Sequence, residues 1–246
     1  MPETGHTLIL LAAGSGSRMG GVVADKILAP LCGVPVFIRS LNACLESGIA
    51  DRVVLVYRDA AQLAQLQACL SAIDFGQVEF TWVQGGSERQ ESVIHALEAA
   101  SDSDFVYIHD CARPLVSPEA LRALKDTVVR DGAAVLAHPV VDTIKRIPQK
   151  DQLQLTELDD LERCRLWAME TPQAFRYPAI LQAYRHVRQH QLTITDDTAA
   201  LATIGQKTSI VPNASPNPKI TTPADLNYAA WLLEQTEDSK PKCQKG

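Results

Sequence analysis

Short apolar runs alternate with segments of helical periodicity through the first half of the chain. Residues 7–13 read TLILLAA, an unbroken apolar run that is typical of a strand buried on both faces of a sheet. Residues 35–47 instead repeat apolar side chains at helical spacing, and Gly48 follows as a stop signal. The two patterns recur and predict strands at 7–13, 52–57, 79–83, 105–108 and 133–137, and helices at 35–47, 62–73, 89–100 and 118–130.

This alternation predicts an α/β fold with a Rossmann-like, mostly parallel sheet, because helical crossovers join parallel strands. In open sheets of this kind, ligands bind beyond the carboxyl ends of the strands. Three polar loops, at 14–26, 84–89 and 109–114, each follow a predicted strand. We therefore expect these loops to open on one edge of the sheet.

The alternation breaks at about residue 138. A predicted strand at 140–147, a polar stretch at 149–152 and a second extended segment at 153–158 follow one another without an intervening helix. This pattern predicts a protruding β-arm over about residues 138–166 rather than another strand–helix–strand unit.

Regular elements return after the arm. They are predicted as a helix at 177–190, a strand at 208–211 and a helix at 223–233. The last helix has Thr222 as a cap, Pro223 in its first turn and Asp225 where a capping box places an acid. We expect a single domain over residues 1–236 and a disordered tail over 237–246.

Charge and cysteine pattern narrow the function classes. The chain has 246 residues and a formal net charge of −6, from 23 basic and 29 acidic side chains, so we expect no nucleic-acid partner. No run of about 18 apolar residues occurs, so we expect no membrane partner, and the N-terminus lacks the pattern of a signal peptide. The six cysteines show neither metal-site nor disulfide spacing. We therefore expect reduced thiols, no metal-ligating cluster and a cytoplasmic location.

A glycine-rich loop over residues 11–21 follows the first predicted strand. Small residues there let backbone amides approach an anionic ligand closely. The dinucleotide fingerprint fails because Met19 holds its third glycine position, and the P-loop pattern fails because two valines follow Gly21. What remains is a loop with two cations of its own, Arg18 and Lys26. By itself this fits a triphosphate site and a solvated glycine turn equally well.

Further motifs occur in a fixed order along nearly the whole chain. They are L-A-A-G-x-G-x-R-M-G from residue 11, G-G-S-E-R-Q-E-S-V at 85–93, H-D-C-A-R-P at 109–114, D-T-I-K-R at 142–146, L-W-x-x-x-T-P-Q-A-F at 166–175, T-D-D at 195–197 and N-P-K-I-T at 217–221. In this order the chain resembles the 2-C-methyl-D-erythritol 4-phosphate cytidylyltransferases. These enzymes have the nucleotide-diphospho-sugar transferase type of fold and serve the methylerythritol phosphate route to isoprenoids.

The resemblance implies transfer of a cytidylyl group from CTP to 2-C-methyl-D-erythritol 4-phosphate, with release of pyrophosphate. The acceptor phosphate attacks the α-phosphorus in line, so catalysis consists of positioning and charge stabilisation. By resemblance, Arg18, Lys26 and Lys219 are the catalytic cations, and Mg²⁺ is bound mainly through the CTP phosphates. The residues that the resemblance assigns to CTP are Ala12, Ala13, Gly14, Gly86, Ser87, Ser92 and Asp110. Those that it assigns to the acceptor are Asp110, Arg113, Thr143, Arg163, Thr171 and Lys219.

The resemblance also implies a homodimer with exchanged β-arms, in which Arg113 and Thr143 serve the second subunit's site. Three departures from the family pattern bear on these assignments. Asp25 precedes Lys26 where the family usually has proline, and is a candidate partner for that lysine. One extra residue separates Arg18 from Lys26, and Arg165 competes with Arg163 for the acceptor role.

Two other functions stay open at the level of sequence. A cytidylyltransferase for another polyol phosphate, such as ribitol 5-phosphate, would keep the same fold, metal and nucleotide. An inactive nucleotide-binding sensor on this fold belongs to a different class. The presence of Arg18, Lys26 and Lys219 argues against the sensor, because a binding module need not keep every cation that stabilises the transition state.

Overall fold

A central sheet organises the computed structural model, which describes residues 5–14, 25–71, 73–151 and 153–238. The strands in chain order are β1 (His6–Leu11), β2 (Pro30–Leu31), β3 (Val34–Pro35), β4 (Arg52–Tyr57), β5 (Glu79–Gln84), β6 (Phe105–Asp110), β7 (Ala133–Pro139), β8 (Lys145–Arg146), β9 (Asp159–Asp160), β10 (Trp167–Arg176) and β11 (Ser209–Pro212). The helices are α1 (Val36–Glu46), α2 (Ala60–Leu70), α3 (Arg89–Ala99), α4 (Pro118–Asp131), α5 (Tyr177–Gln189), α6 (Asp197–Ala202) and α7 (Pro223–Asp238).

Seven of the described strands form one sheet in the order β11-β7-β10-β6-β1-β4-β5. Strand β1 pairs in parallel with β4 and β6, β4 with β5, and β7 with β11. Only β10 runs antiparallel to its neighbours in this sheet, β6 and β7. The predicted mostly parallel α/β sheet is therefore confirmed.

Side chains on alternate positions of β1 enter two separate cores. Leu8 and Leu10 pack with residues of α1, α2 and α4 on one face of the sheet. Ile9 packs with residues of α3 and α5 on the other face. All three side chains are fully buried, which explains the unbroken apolar run of this strand.

The ends of α4 and α7 follow the capping signals of the sequence. The Ser117 hydroxyl accepts a hydrogen bond from the backbone of α4, and Gly132 ends that helix in the left-handed conformation, with φ 86°. At the start of α7, the Asp225 carboxylate accepts from the Thr222 amide at 2.8 Å, and the Thr222 hydroxyl accepts from the Asp225 amide at 3.4 Å. The predicted capping box is confirmed.

The arm region differs from its prediction. Only β8 and β9 pair there, and the remainder of 140–147 and of 153–158 forms no strand in the part of the chain that the structure describes. Several apolar side chains of the arm are exposed, with Val141 at 81% and Leu153 at 76% of their full accessibility. A short hairpin without a surface to cover it holds little regular structure.

Several other elements were missed or misplaced by the sequence prediction. Strand β10, helix α6 and the hairpin of β2 with β3 were not predicted, and α7 continues to Asp238, past the predicted start of the tail. Residues 239–246 lie outside the described part. None of the helices that the structure describes is long and apolar enough to cross a bilayer.

Candidate active site

A cavity of about 540 Å³ lies at the carboxyl edge of the sheet. Its lining residues are Leu11, Ala12, Ala13, Gly14, Lys26, Ile27, Arg58, Gly86, Ser87, Glu88, Arg89, Ser92, Asp110, Ala112, Lys219 and Thr221. The three loops predicted to share this edge all contribute to the lining. That prediction is therefore confirmed for the described parts of the loops.

The segment after strand β1 is hydrogen-bonded into the protein at Ala12 but, among the described atoms, has open space beside Gly14. The Ala12 amide donates to the Val56 carbonyl at 2.9 Å, and the Ala12 carbonyl accepts from Gln62 Nε2 at 3.1 Å. Ala12 therefore forms a wall of the cavity, with its backbone tied into the protein. Within the described part of the chain Gly14 has open space beside it, because a Cβ placed on it meets no described atom within 4 Å. Arg18 lies outside the described residues.

The second loop is a turn held by its own side chains. The Gly86 amide donates to Ser92 Oγ at 3.1 Å, and the amide and hydroxyl of Ser87 donate to Glu91 Oε2 at 2.7 and 2.8 Å. These two bonds lower the pKa of Glu91. A Cβ on Gly85 would lie 2.7 Å from Ser92 Oγ, and one on Gly86 would lie 2.3 Å from the Glu91 Cβ. Glycine is required at both positions, because the turn folds tightly over its own side chains.

An ion pair spans the cavity where β6 ends. Lys219 Nζ donates to Asp110 Oδ2 at 2.5 Å. The segment that carries Lys219 is held beside the strand end, because the Ile220 amide donates to the Ala112 carbonyl at 2.8 Å. Burial opposes ionisation of Asp110, but Lys219 and Arg89 outweigh it and lower the Asp110 pKa to about 2. Asp110 is therefore ionised at neutral pH.

Arg89 links this pair to a buried carboxylate. Its two terminal nitrogens donate to the two carboxylate oxygens of Asp197 at 2.8 and 2.7 Å, and its Nε lies 3.8 Å from Asp110 Oδ1. The Tyr184 hydroxyl donates to Asp197 at 2.5 Å from the other side. Burial disfavours the charge of Arg89, but Asp197 outweighs it and raises the pKa of the guanidinium. The bidentate geometry fixes Arg89 in the cavity wall.

Lys26 and its neighbour Asp25 point to different partners. Lys26 Nζ donates to the Ile220 carbonyl at 3.1 Å, which brings it toward the segment of Lys219. The Asp25 carboxylate accepts from Gln62 Nε2 at 2.6 Å and from Arg58 Nη1 at 3.3 Å. The structure thus gives Asp25 partners that the sequence did not suggest.

His109 and Thr171 lie behind the cavity wall. The Thr171 hydroxyl is 2.9 Å from His109 Nδ1 and accepts from the Asp110 amide at 3.1 Å. Burial lowers the pKa of His109 to about 4, so the ring is neutral at pH 7. Both side chains therefore support the backbone of Asp110.

Comparison with models of known protein families shows which family this chain belongs to. The family model described as IspD, 2-C-methyl-D-erythritol 4-phosphate cytidylyltransferase, matches residues 6–235. The chain belongs to this family.

Individual family members agree over nearly the whole chain. The 2-C-methyl-D-erythritol 4-phosphate cytidylyltransferase of Pelotomaculum thermopropionicum is 38% identical over 227 residues, which cover 92% of this chain and 93% of the relative. That of Bacillus mycoides is 34% identical over 228 residues, covering 93% and 97%. The crystal structure of 4-diphosphocytidyl-2C-methyl-D-erythritol synthase from Anaerococcus prevotii is similar with a TM-score of 0.80 and 26% identity, covering 94% of this chain and 96% of that one.

Four residues that the family resemblance assigns to the acceptor do not line the cavity: Thr171, whose hydroxyl is bonded behind the wall, and Arg113, Thr143 and Arg163. Arg113 Nη1 donates to the Asn217 carbonyl at 2.7 Å, and burial lowers the pKa of this guanidinium. Thr143 and Arg163 are exposed on the arm, where Arg163 Nη1 donates to the Val141 carbonyl at 3.1 Å. The single chain thus brings the described nucleotide-binding residues of the predicted site together with Lys26 and Lys219, but not with these four residues.

Four polar or charged lining residues had no role in the sequence prediction: Arg58, Glu88, Arg89 and Thr221. A signal existed for Arg58, because it directly follows strand β4, whose carboxyl end lies beside that of β1. Glu88 and Arg89 stood inside a recognised motif, but no spacing rule showed that Arg89 would reach Asp197.

Proposed function

We propose that the cavity binds CTP and the phosphate of 2-C-methyl-D-erythritol 4-phosphate together, and joins them to give 4-diphosphocytidyl-2-C-methyl-D-erythritol and pyrophosphate. Membership of the cytidylyltransferase family supports this activity. The observation that carries the site assignment is the placement of Lys26 and of the Asp110–Lys219 pair in one cavity with the turn at 85–92. Cations and a glycine-rich turn at one edge suit a nucleoside triphosphate.

The turn at 85–92 forms the proposed base subsite. Backbone groups of Gly86 and Ser87 and the hydroxyl of Ser92 can distinguish the amine and ring nitrogen of cytosine from the groups of uracil. Gly14 offers a close backbone approach to the phosphates, since none of the described side chains fills the space beside it. Ala12 and Ala13 form the wall against which the nucleoside lies.

The reaction needs charge stabilisation rather than a covalent intermediate. An oxygen of the acceptor phosphate forms the new bond to the α-phosphorus, and the bond from that phosphorus to the bridging oxygen of pyrophosphate breaks. Lys26 and Lys219 hold the phosphate oxygens that gain charge, and we assign the same task to Arg18 from the sequence pattern. A phosphate nucleophile needs no general base at neutral pH, so the neutral His109 is not required to move a proton.

The donor set fits Mg²⁺ bound chiefly through the nucleotide. Mg²⁺ commonly takes one or two carboxylates, with water and substrate phosphates completing its shell. Asp110 supplies an ionised carboxylate in the cavity wall, as its lowered pKa indicates. When bound to the triphosphate, Mg²⁺ would neutralise part of its charge. Asp110 would lie near this metal and hold the acceptor hydroxyls, and Lys219 would hold the acceptor phosphate.

We also propose a homodimer in which the arm, residues 138–166, crosses to a second subunit. Exposed apolar side chains of the arm support this proposal; they are Val141, Ile144, Leu153, Leu155 and Leu158. Such a surface matches an interface better than open solvent. Arg113 and Thr143 would then serve the acceptor site of the second subunit, Arg163 would reach an acceptor site from the arm, and Thr171 would hold Asp110 in place.

The remaining sequence predictions stay proposals. We assign residues 1–236 to one domain, and we keep the cytoplasm as the expected compartment. Between the two arm arginines, we assign the acceptor role to Arg163. Its replacement by alanine should raise the KM for the acceptor several-fold, whereas an effect seen only with Arg165→Ala would move the role to Arg165.

Product analysis tests the proposed activity. Purified protein is incubated with Mg²⁺, CTP and 2-C-methyl-D-erythritol 4-phosphate, and phosphorus NMR follows the mixture. We expect the acceptor's monoester signal to be replaced by the paired signals of a diphosphate diester, with one pyrophosphate released for each. Pyrophosphate without a diester would indicate hydrolysis of CTP and would contradict the proposal.

A further inference from the structure

We infer that Asp25 is a positioning residue for Lys26. It acts through a buried network that also holds Ala12 and Gly14, at the start of the loop 14–26. The inference deepens the function proposed above and rests on it. It concerns the residues on either side of 15–24, Gly14 and Asp25, both of which the structure describes.

Asp25 is fixed by three donors. Its side chain is only 6% exposed. Oδ2 accepts from Gln62 Nε2 at 2.6 Å and from Arg58 Nη1 at 3.3 Å, while Oδ1 accepts from the Ile27 amide at 3.2 Å. A buried carboxylate with this many partners has one orientation, and its loss leaves buried donors unsatisfied.

The same two side chains hold the opposite end of the loop. Gln62 Nε2 also donates to the Ala12 carbonyl at 3.1 Å, and Arg58 Nη1 also donates to the Gly14 carbonyl at 3.3 Å. The Arg58 amide donates to Gln62 Oε1 at 2.7 Å, which turns the Gln62 amide nitrogen toward Asp25. Gln62 is 1% exposed, so the network ties Asp25 to strand β1 through the protein interior.

Lys26 takes its position from this anchor. The Asp25 carboxylate bonds back to the amide of Ile27, and this contact spans the backbone of Lys26. From there the Lys26 ammonium reaches the Ile220 carbonyl at 3.1 Å, in the cavity that Lys219 also lines. A shift of about 1 Å at a group that stabilises the transition state can cost about 100-fold in rate. Asp25 therefore affects catalysis without touching the substrate.

A double-mutant cycle separates this role from a merely structural one. The kcat/KM for CTP is measured at saturating acceptor for the wild type, Asp25→Asn, Lys26→Met and the double variant. We expect Asp25→Asn to lower kcat/KM about 10-fold in the wild type and less than about twofold in the Lys26→Met background, where no ammonium remains to be misplaced. Glu79→Gln, which removes the exposed 3.7 Å pair with Arg52 on the neighbouring strand, is the matched control and should leave the rate unchanged.

Calorimetric titration with CTP supplies a readout that does not depend on turnover, and it should show the same non-additivity in Kd. The positioning role would be overturned if Asp25→Asn lowered kcat/KM by the same factor with and without Lys26→Met. It would also be overturned if Asp25→Asn alone kept the wild-type kcat/KM. If Asp25→Asn shows no cooperative thermal transition, Arg58→Gln takes its place in the cycle under the same criteria. An inactive wild-type protein would contradict the proposed function. An active wild-type protein in which the effects of Asp25→Asn and Lys26→Met simply multiply would contradict this inference alone.

Discussion

Lys219 Nζ lies 2.5 Å from Asp110 Oδ2, although the two residues are 109 positions apart in the sequence. Asp110 is the last residue of strand β6, and the segment that follows β11 places Lys219 next to it. The pair puts a fixed anion and a fixed cation side by side in the wall of one cavity. The proposed function uses both charges, Asp110 for the hydroxyls of the acceptor and Lys219 for its phosphate.

The Asp110 pair should appear in the acid stability of the protein. The pKa of Asp110 is about 2 in the folded protein, below its ordinary value of 3.8. A carboxylate with a lowered pKa contributes stability above its unfolded pKa and loses this contribution as the pH falls through the folded pKa. We expect Asp110→Asn to lose less stability than the wild type between pH 4 and about 2, as measured by urea unfolding. Asp126→Asn, at an exposed position of α4, is the matched control, and an unchanged slope for Asp110→Asn would contradict the assigned pKa.

Replacing either lysine that lines the cavity, Lys26 or Lys219, should affect turnover more than folding. Removing one donor that stabilises developing charge typically lowers kcat by about 100- to 1,000-fold. We expect losses of this order for Lys26→Met and Lys219→Met, with thermal midpoints within a few degrees of the wild type. Lys207→Met, at an exposed position before β11, is the control with unchanged activity. A normal kcat in either cavity variant would remove that lysine from the mechanism.

Alanine substitutions at Gly85 and Gly14 should have different effects, the first on stability and the second on CTP binding. A Cβ on Gly85 would lie 2.7 Å from Ser92 Oγ and 2.8 Å from the Ala13 Cβ, so Gly85→Ala should destabilise the protein by about 1–3 kcal/mol. A Cβ on Gly14 meets none of the described atoms within 4 Å, so Gly14→Ala should keep the stability and raise the KM for CTP. Thermal unfolding and CTP kinetics on both variants check this contrast. A stable Gly85→Ala variant, or a Gly14→Ala variant with unchanged KM, would contradict the geometry of the proposed nucleotide site.

The arm should control the oligomeric state. Replacing both Val141 and Leu153 by aspartate places charge on the exposed apolar surface of the arm. We expect light scattering after gel filtration to give a dimer for the wild type and a monomer for this variant. Val129→Asp, a change at a similarly apolar and exposed position of α4, should stay dimeric. A monomeric wild type at micromolar concentration would contradict the exchanged-arm proposal.

The sequence predicted the parallel half of the fold well, because strands such as β1 are buried on both faces and their apolar runs are unbroken. Strand β10 was missed because it carries polar side chains that are buried. Glu170 is 2% exposed and accepts hydrogen bonds from Asn213 and Asn217 at 2.8 Å each. These partners lie more than 40 positions away, so no local pattern marks Glu170 as interior.

The candidate site was predictable where it depends on motifs and unpredictable where it depends on long-range contacts. The glycine turn and the strand end at Asp110 could be located from local signals. The link from Arg89 to Asp197 and the network of Asp25, Arg58 and Gln62 depend on side chains that meet only after folding. The arm prediction at 140–147 was wrong as a regular strand because its apolar side chains have no cover within the described chain.

Pyrophosphate release with purified protein, Mg²⁺ and CTP tests the central claim most directly, with 2-C-methyl-D-erythritol 4-phosphate and ribitol 5-phosphate supplied in parallel reactions. We expect release with the methylerythritol acceptor and only background release with the ribitol acceptor or with none. Release with ribitol 5-phosphate alone, or no release with either acceptor, would contradict it.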